Sequence, residues 1–321
     1  MRALEERYQS NLHKSLFLAR ELIRILEQLE SAGVAVMPYK GVALAEAAYG
    51  DMALRQSGDI DLLVRAADLK RIRTAVGALG YVPHVQLSGA EERAYLLSGY
   101  ECAFDGPAGR NLLEVQWAIQ PRFYAVDLSL EDLFQRSVTV RVAGRAMTTL
   151  SPEDQILVLS VHAAKHVWGR LIWLRDIAQI MQTPGLNWNW MVAQARALGI
   201  ARILGVTLLL VDRLLGLPIP ELGRDMVLAD PAAAALTDEI RARLVSGTSY
   251  STESVSYFRL MMNLRERGAD RVRFLRRLIF TPGLNEWRAV RLPEALFPLY
   301  RVVRLWRLLA RLASRNTGLK P

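Results

Sequence analysis

Cysteine is almost missing from this chain of 321 residues. Cys102 stands alone, so an internal disulfide and a cysteine-rich metal site are both excluded. Lysine is scarce as well, with 5 Lys against 36 Arg. The longest apolar run, Ile203 to Val211, stops at Asp212-Arg213, far short of the ~20 residues of a membrane span. The opening MRALEERYQS is charged and has no apolar signal core, so the expectation is a cytoplasmic protein without a transmembrane segment. No internal repeat and no low-complexity segment interrupts the sequence.

The remainder reads as an ordinary folded chain, 51% hydrophobic and 23% charged, long enough for two domains. The formal net charge of +9 favours anionic partners such as nucleotides, nucleic acid or a membrane surface.

One stretch carries chemistry. In Ser57-Gly58-Asp59-Ile60-Asp61-Leu62-Leu63-Val64, two carboxylates interrupt a short apolar run that reads as a buried strand. Alternation along a strand turns Asp59 and Asp61 to the same side, roughly 7 Å apart. Buried acids need a neutralising partner. A hard divalent cation such as Mg²⁺ is one candidate, and the nearby Arg55 is another. Glu114, inside the apolar strand Leu113-Glu114-Val115-Gln116-Trp117, reads as a third metal-facing acid or as the partner of a buried arginine.

Around these acids the pattern predicts a helix over residues 1–32, with Leu12, Leu16, Ala19, Ile23 and Leu26 facing the core and Gly33 as its C-cap. A strand over 34–37 leads through Pro38-Tyr39-Lys40-Gly41 into a helix from Val42 to Tyr49. That turn sets Lys40 and Gly41 beside free helical N–H groups suited to phosphate. A helix over 66–79, a weak strand over 81–86 and a helix over 90–97 follow. Strands over 101–105 and 112–117 are joined by Gly106-Pro107-Ala108-Gly109. After a short helix and a hairpin (138–142 with 145–149), Ser151-Pro152-Glu153-Asp154 signals a strong helix start. Only helices are expected beyond it. The domain boundary is therefore placed at 150, with a catalytic domain over 1–150 and a helical domain over 151–321.

His162 and His166 share a helix face with Lys165 between them. The Glu of H-E-x-x-H is missing, so these histidines are read as interface or substrate contacts rather than zinc ligands. Residues 265–315 carry a local charge of +9. Arg304, Arg307 and Arg311 fall on one helix face, which is either solvated or attracts polyanions.

Lys40-Gly41, Tyr49, Arg55 and Gly58 through Val64, followed by Glu114 to Trp117, His162 to Asp176, Leu292-Pro293 and Pro298-Leu299-Tyr300, resemble the bacterial uncharacterised nucleotidyltransferase family of the polymerase-beta-like superfamily. The resemblance runs over nearly the whole chain. It implies an α+β fold, with a small mixed β-sheet flanked by helices and then an all-helical C-terminal domain. It also implies that Asp59, Asp61 and Glu114 hold two Mg²⁺ ions. NMP would move from an NTP to a hydroxyl or phosphate acceptor such as a small molecule, peptide or RNA. Lys40, Gly41, Arg55, Gly58, Lys165 and His166 would line the nucleotide. Two positions depart from the pattern: Val42 follows Gly41 where Ser or Gly is usual, and Gln116 stands where relatives often carry His. A non-catalytic nucleotide- or polyanion-binding module is the alternative. A D-x-D glycosyltransferase ranks below both, because only one strand–helix unit precedes Asp59.

Overall fold

The computed structural model describes residues 2–87, 89–248 and 254–316. A 30-residue helix α1 (Arg2–Ser31) opens the chain, and Gly33 ends it in the left-handed conformation (φ +66°). Next come β1 (Val36–Pro38), α2 (Gly41–Tyr49), β2 (Asp59–Val64), α3 (Leu69–Ala78), β3 (Val82–Pro83), α4 (Gly89–Ser98), β4 (Glu101–Asp105) and β5 (Leu112–Gln116). The five strands form one mixed sheet in the order β1-β2-β5-β4-β3, in which only β2 and β5 run parallel. A short α5 (Leu130–Gln135) leads to the hairpin β6 (Val138–Val142) and β7 (Arg145–Thr149).

Helices follow: α6 (Pro152–Lys165), α7 (Leu171–Ile180), α8 (Trp188–Leu198), α9 (Ala201–Leu215), α10 (Glu221–Leu228), α11 (Pro231–Val245), α12 (Val255–Asn263), α13 (Gly268–Phe280), α14 (Leu284–Ala289) and α15 (Tyr300–Asn316). Among the described residues no strand occurs after Thr149. No helix there is long and apolar enough to cross a membrane. The Ser151 hydroxyl accepts from the Asp154 amide and Pro152 occupies the first turn, so α6 starts where the sequence signals it. The architecture is the expected α+β one.

Buried side chains gather in two main clusters. One joins α1 and α3 to the sheet and hairpin through Leu22, Ile25, Leu62, Ile72, Leu113 and Met147. The other fills the helical half around Ile156, Trp168, Leu204, Leu208 and Phe274. A smaller one with Tyr39, Leu63, Leu133 and Val158 lies between them. Arg55 adds a buried ionic link, its guanidinium 3.0 Å from both carboxylate oxygens of Asp176 on α7.

Three expectations need correction. The buried stripe of α1 is Ser15, Leu18, Leu22, Ile25 and Leu29, with Ala19 and Leu26, while Leu16 is 47% exposed. The helix carries two overlapping apolar stripes about one residue apart, and polar anchors choose between them. Ser15 Oγ donates to Met52 O (3.0 Å) and Asn11 Nδ2 donates to Ala53 O (2.5 Å). The strand expected over 81–86 shrinks to Val82–Pro83, an edge pairing with no residue beyond it. Arg304 and Arg307 form no solvated face. Arg304 donates to Leu278 O and Glu286, and Arg307 to Asn285 O and Glu286, so both clamp α13 and α14 onto α15. Glu286 is itself buried, and an apolar face of α15 with Val302, Trp306 and Leu309 points outward instead. The side chain of Arg311 lies outside the described residues.

Candidate active site

The strand pairing assembles the acids. Asp61 on β2 sits opposite Glu114 on β5, and Asp59 opposite Leu112. Gln116 on β5 sits opposite Glu101 on β4. Paired residues, and residues two apart, project from the same face of a sheet. Asp59, Asp61, Glu114, Gln116 and Glu101 thus line one face across three adjacent strands. That face forms the floor of a cleft of about 900 Å³. Lys40, Gly41, Arg55, Gly58, Lys165 and His166 line the same cleft, so all nine residues singled out by sequence converge there.

Gly41 is required where it stands. Its φ is +59°, and a Cβ there would lie 3.1 Å from the carbonyl oxygen of Asp59. Any other residue would be strained and would push the start of α2 away from the acid-bearing strand. Lys40, just before it, places Nζ 3.1 Å from Asp61 Oδ1, with both side chains almost buried. Burial alone would lower the lysine pKa. The Asp61 carboxylate more than offsets this and holds Lys40 above its ordinary value, fully charged.

Gln116 ties the carboxylates together. Its Nε2 lies 3.0 Å from Glu114 Oε2, 3.3 Å from Asp61 Oδ1 and 3.5 Å from Glu101 Oε2, while its Oε1 accepts from the Tyr39 hydroxyl at 2.5 Å. One amide cannot neutralise three acids. Burial, followed by the charges of Asp61 and Glu101, pushes Glu114 up to about 8. Burial and Asp61 raise Asp59 as well. This floor carries more negative charge than Lys40 balances, and its donors are carboxylate oxygens. That chemistry fits a hard divalent cation. As the side chains stand, no group of three His, Cys, Asp or Glu among the described residues is drawn in tightly enough to hold an ion, and Lys40 occupies an Asp61 oxygen.

The opposite wall comes from α6 and α7. Lys165 Nζ donates to the Tyr100 hydroxyl at 2.8 Å, and burial lowers its pKa against the pull of Glu101. The rings of His162 and His166 lie 5.0 Å apart and both pack on Trp173, at 5.1 and 5.3 Å. Burial and neighbouring cations push His166 down to about 4 and hold His162 well below its ordinary value. Both are neutral at pH 7 and form an aromatic wall. Arg55 also borders the cleft, but its donors are committed to Asp176 and Ser57, so it holds the loop before Asp59.

Sequence reading missed Glu101 and left Gln116 without a role. The signal for both was present. A turn over 106–109 pairs residue 105 with 112, and hence 101 with 116, on the face that carries Glu114. It also missed Arg7 and Lys14 of α1, which reach the same cleft.

No curated protein matches this chain. Three solved structures resemble it. The crystal structure of ANT(2'')-Ia with adenylyl-2''-tobramycin is 18% identical, covering 56% of this chain and 98% of that one at a TM-score of 0.42. The solution structure of the antibiotic-resistance factor ANT(2'')-Ia is 17% identical, covering 57% and 91% at 0.40. The lincomycin-bound lincosamide antibiotic adenylyltransferase LnuA is 15% identical, covering 51% and 96% at 0.37. Likenesses this distant transfer no substrate. The family match is of another order, although it ends well before the Leu292 to Tyr300 stretch that sequence reading had included. The family model described as uncharacterised nucleotidyltransferase spans residues 1–216, more than half of the chain and all of the acid-bearing sheet, and the chain belongs to that family.

Proposed function

We propose that this nucleotidyltransferase moves an NMP group from an NTP to a hydroxyl or phosphate acceptor in the cleft above β2, β5 and β4. The observation that carries the reading is the pairing of Asp61 with Glu114, flanked by Asp59, on a face with surplus negative charge. Asp59, Asp61 and Glu114 are the residues to hold two Mg²⁺ ions. When bound, such ions lower the pKa of an acceptor hydroxyl and neutralise charge on the leaving pyrophosphate. An acceptor oxygen bonds to the α-phosphorus while the bond from that phosphorus to the pyrophosphate oxygen breaks, and a hydroxyl acceptor releases its proton to solvent water.

In this reading the residues of the cleft divide the work. Asp59 and Asp61 face the triphosphate and Glu114 the acceptor. Lys40 rests on Asp61 and is near enough to turn toward a phosphate oxygen. The backbone at Gly41 opens α2 toward the same place. Lys165 and His166 shape the far wall, where they help to hold nucleotide or acceptor. In this reading residues 1–150 are the catalytic domain and residues 151–321 a helical domain that completes the cleft.

The test is incubation of the full chain with each labelled NTP, Mg²⁺, and acceptors drawn from tRNA, small metabolites and peptides. The expected result is a labelled acceptor, one pyrophosphate released per transfer, and loss of both with Asp61→Asn. Labelling that survives Asp61→Asn refutes the proposed site.

A further inference from the structure

Helix α1 has a second face beside the one packed on the sheet. Arg7, Ser10, Asn11 and Lys14 recur at helical spacing and all line the cleft. Asn11 fixes where this face points. Its Nδ2 donates to the carbonyls of Ala53 (2.5 Å) and Arg55 (3.3 Å), and that backbone runs straight through Gln56-Ser57-Gly58 into Asp59. Arg7 and Lys14, about one turn to either side of Asn11, therefore stand at the Asp59 end of the cleft. Lys165, Tyr100 and Glu101 occupy the other end, about 10 Å away, because β5 separates β2 from β4.

Charge differs between the two ends. The other cations near Asp59 are committed: Arg55 to Asp176 and Ser57, Lys40 to Asp61. Arg7 and Lys14 are exposed and have no acidic partner among the described residues. An anion arriving at this end meets two cations and the Ser10 hydroxyl without having to break an existing ion pair. The start of α2 offers no hydroxyl of its own, since Val42 follows Gly41.

We propose that the Arg7–Ser10–Lys14 face of α1 binds the polyphosphate arm of the NTP, and the pyrophosphate left after transfer, so that the acceptor enters from the Lys165–Glu101 end. The assignment rests on the nucleotidyl-transfer reading and gives the cleft a direction. The α-phosphate lies over Asp59 and Asp61, the β- and γ-phosphates extend toward α1, and the acceptor oxygen approaches in line from the opposite side.

The experiment is calorimetric titration of the full chain with Mg²⁺ and each NTP, the matching NMP, and inorganic pyrophosphate. It compares the wild type with the double variant Arg7→Gln/Lys14→Gln. Both positions are exposed, so the variant keeps its fold, which circular dichroism checks. Affinity for NTP and pyrophosphate should fall about tenfold or more, as expected when charge-assisted contacts to phosphate are removed, while NMP affinity stays put. Equal weakening of NTP and NMP, or no weakening of either, overturns the assignment and leaves the transferase reading standing. A wild-type chain that binds no NTP overturns both.

Discussion

Replacing Glu114 with Gln removes one charge from an over-charged floor and keeps the oxygen that accepts from Gln116. In the folded chain, burial and the carboxylates of Asp61 and Glu101 push Glu114 from its ordinary 4.5 to about 8. Raised in the fold, this carboxyl stabilises the native state fully below about 4.5, and that contribution is lost as the pH climbs through about 8. At about 1.36 kcal/mol per pH unit the ceiling on the effect is ~5 kcal/mol. The cleft is open to water and the cost is shared with the other acids, so about 1–2 kcal/mol is the working expectation. The assay is thermal unfolding of metal-free protein from pH 6 to 9. Tm of the wild type should drop relative to Glu114→Gln by about 2–4 °C across that window, given about 2 °C per kcal/mol for a chain of this size. Adding Mg²⁺ at pH 8.5 should raise the wild type more than the variant, which keeps only Asp59 and Asp61 to hold the ion. A variant less stable than wild type at pH 9, or a Tm difference that ignores pH, would refute the account of the acidic floor.

Asp59→Asn and Asp61→Asn should each abolish nucleotide transfer; Asp59→Asn should unfold at or slightly above the wild-type temperature, since it removes a repelling charge, whereas Asp61→Asn should unfold below it, since it leaves the buried Lys40 ammonium without its carboxylate; wild-type turnover in either would displace the site. Asp176→Asn should be among the most destabilising single changes, by about 3 kcal/mol, because it leaves the buried Arg55 without its counter-charge; urea unfolding measures it, and a change under ~1 kcal/mol would mean that water reaches the pair. Arg304→Gln should lower stability by about 1–3 kcal/mol through its lost bonds to Leu278 O and Glu286 and leave acceptor binding without added salt dependence; a salt-sensitive loss of binding with unchanged Tm would return Arg304 to the polyanion-attracting role.

What the sequence made legible was local. Asp59 and Asp61 announce themselves because two acids in an apolar strand have few structural excuses. The hairpin over 138–149 and the start of α6 follow from turn and cap chemistry within four residues. What stayed hidden depends on partners far along the chain. Periodicity puts Arg304 and Arg307 on one side of a helix, yet it cannot say whether that side meets water. The deciding residue is Glu286 on α14, 18 residues before Arg304 and itself a surface residue by type. The same holds for α1, where Leu16 and Leu18 are equal candidates until Asn11 and Ser15 find the backbone at 52–55. Glu101 became a site residue only through its pairing with Gln116.

The cations of the chain divide by residue type. A net charge of +9 invites the idea of one polyanion-binding surface. In the fold, many arginines are instead committed to acids as packing devices: Arg55 to Asp176, Arg136 to Asp154, Arg202 to Asp230, Arg277 to Asp127 and Arg304 to Glu286. A planar guanidinium suits that work, since it can meet both oxygens of a carboxylate at once. Lysine is used differently. Lys14, Lys40 and Lys165, three of the 5 in the chain, line the cleft floored by Asp59, Asp61 and Glu114. An ammonium is a compact charge on a flexible stem, able to leave one oxygen for another as charge moves. Lys40 already rests on Asp61, and Lys165 is held by Tyr100 beside Glu101. A chain that commits many arginines to fixed pairs and sets three of its lysines around the acidic cleft places movable positive charge where a polyphosphate changes partners. On this argument, Lys40→Arg should fold normally and bind NTP, yet transfer at least about tenfold more slowly, because a bidentate hold on Asp61 is harder to release. Stopped-flow measurement of pyrophosphate release gives the rate, and a wild-type rate in Lys40→Arg would show that the charge at this position need not move.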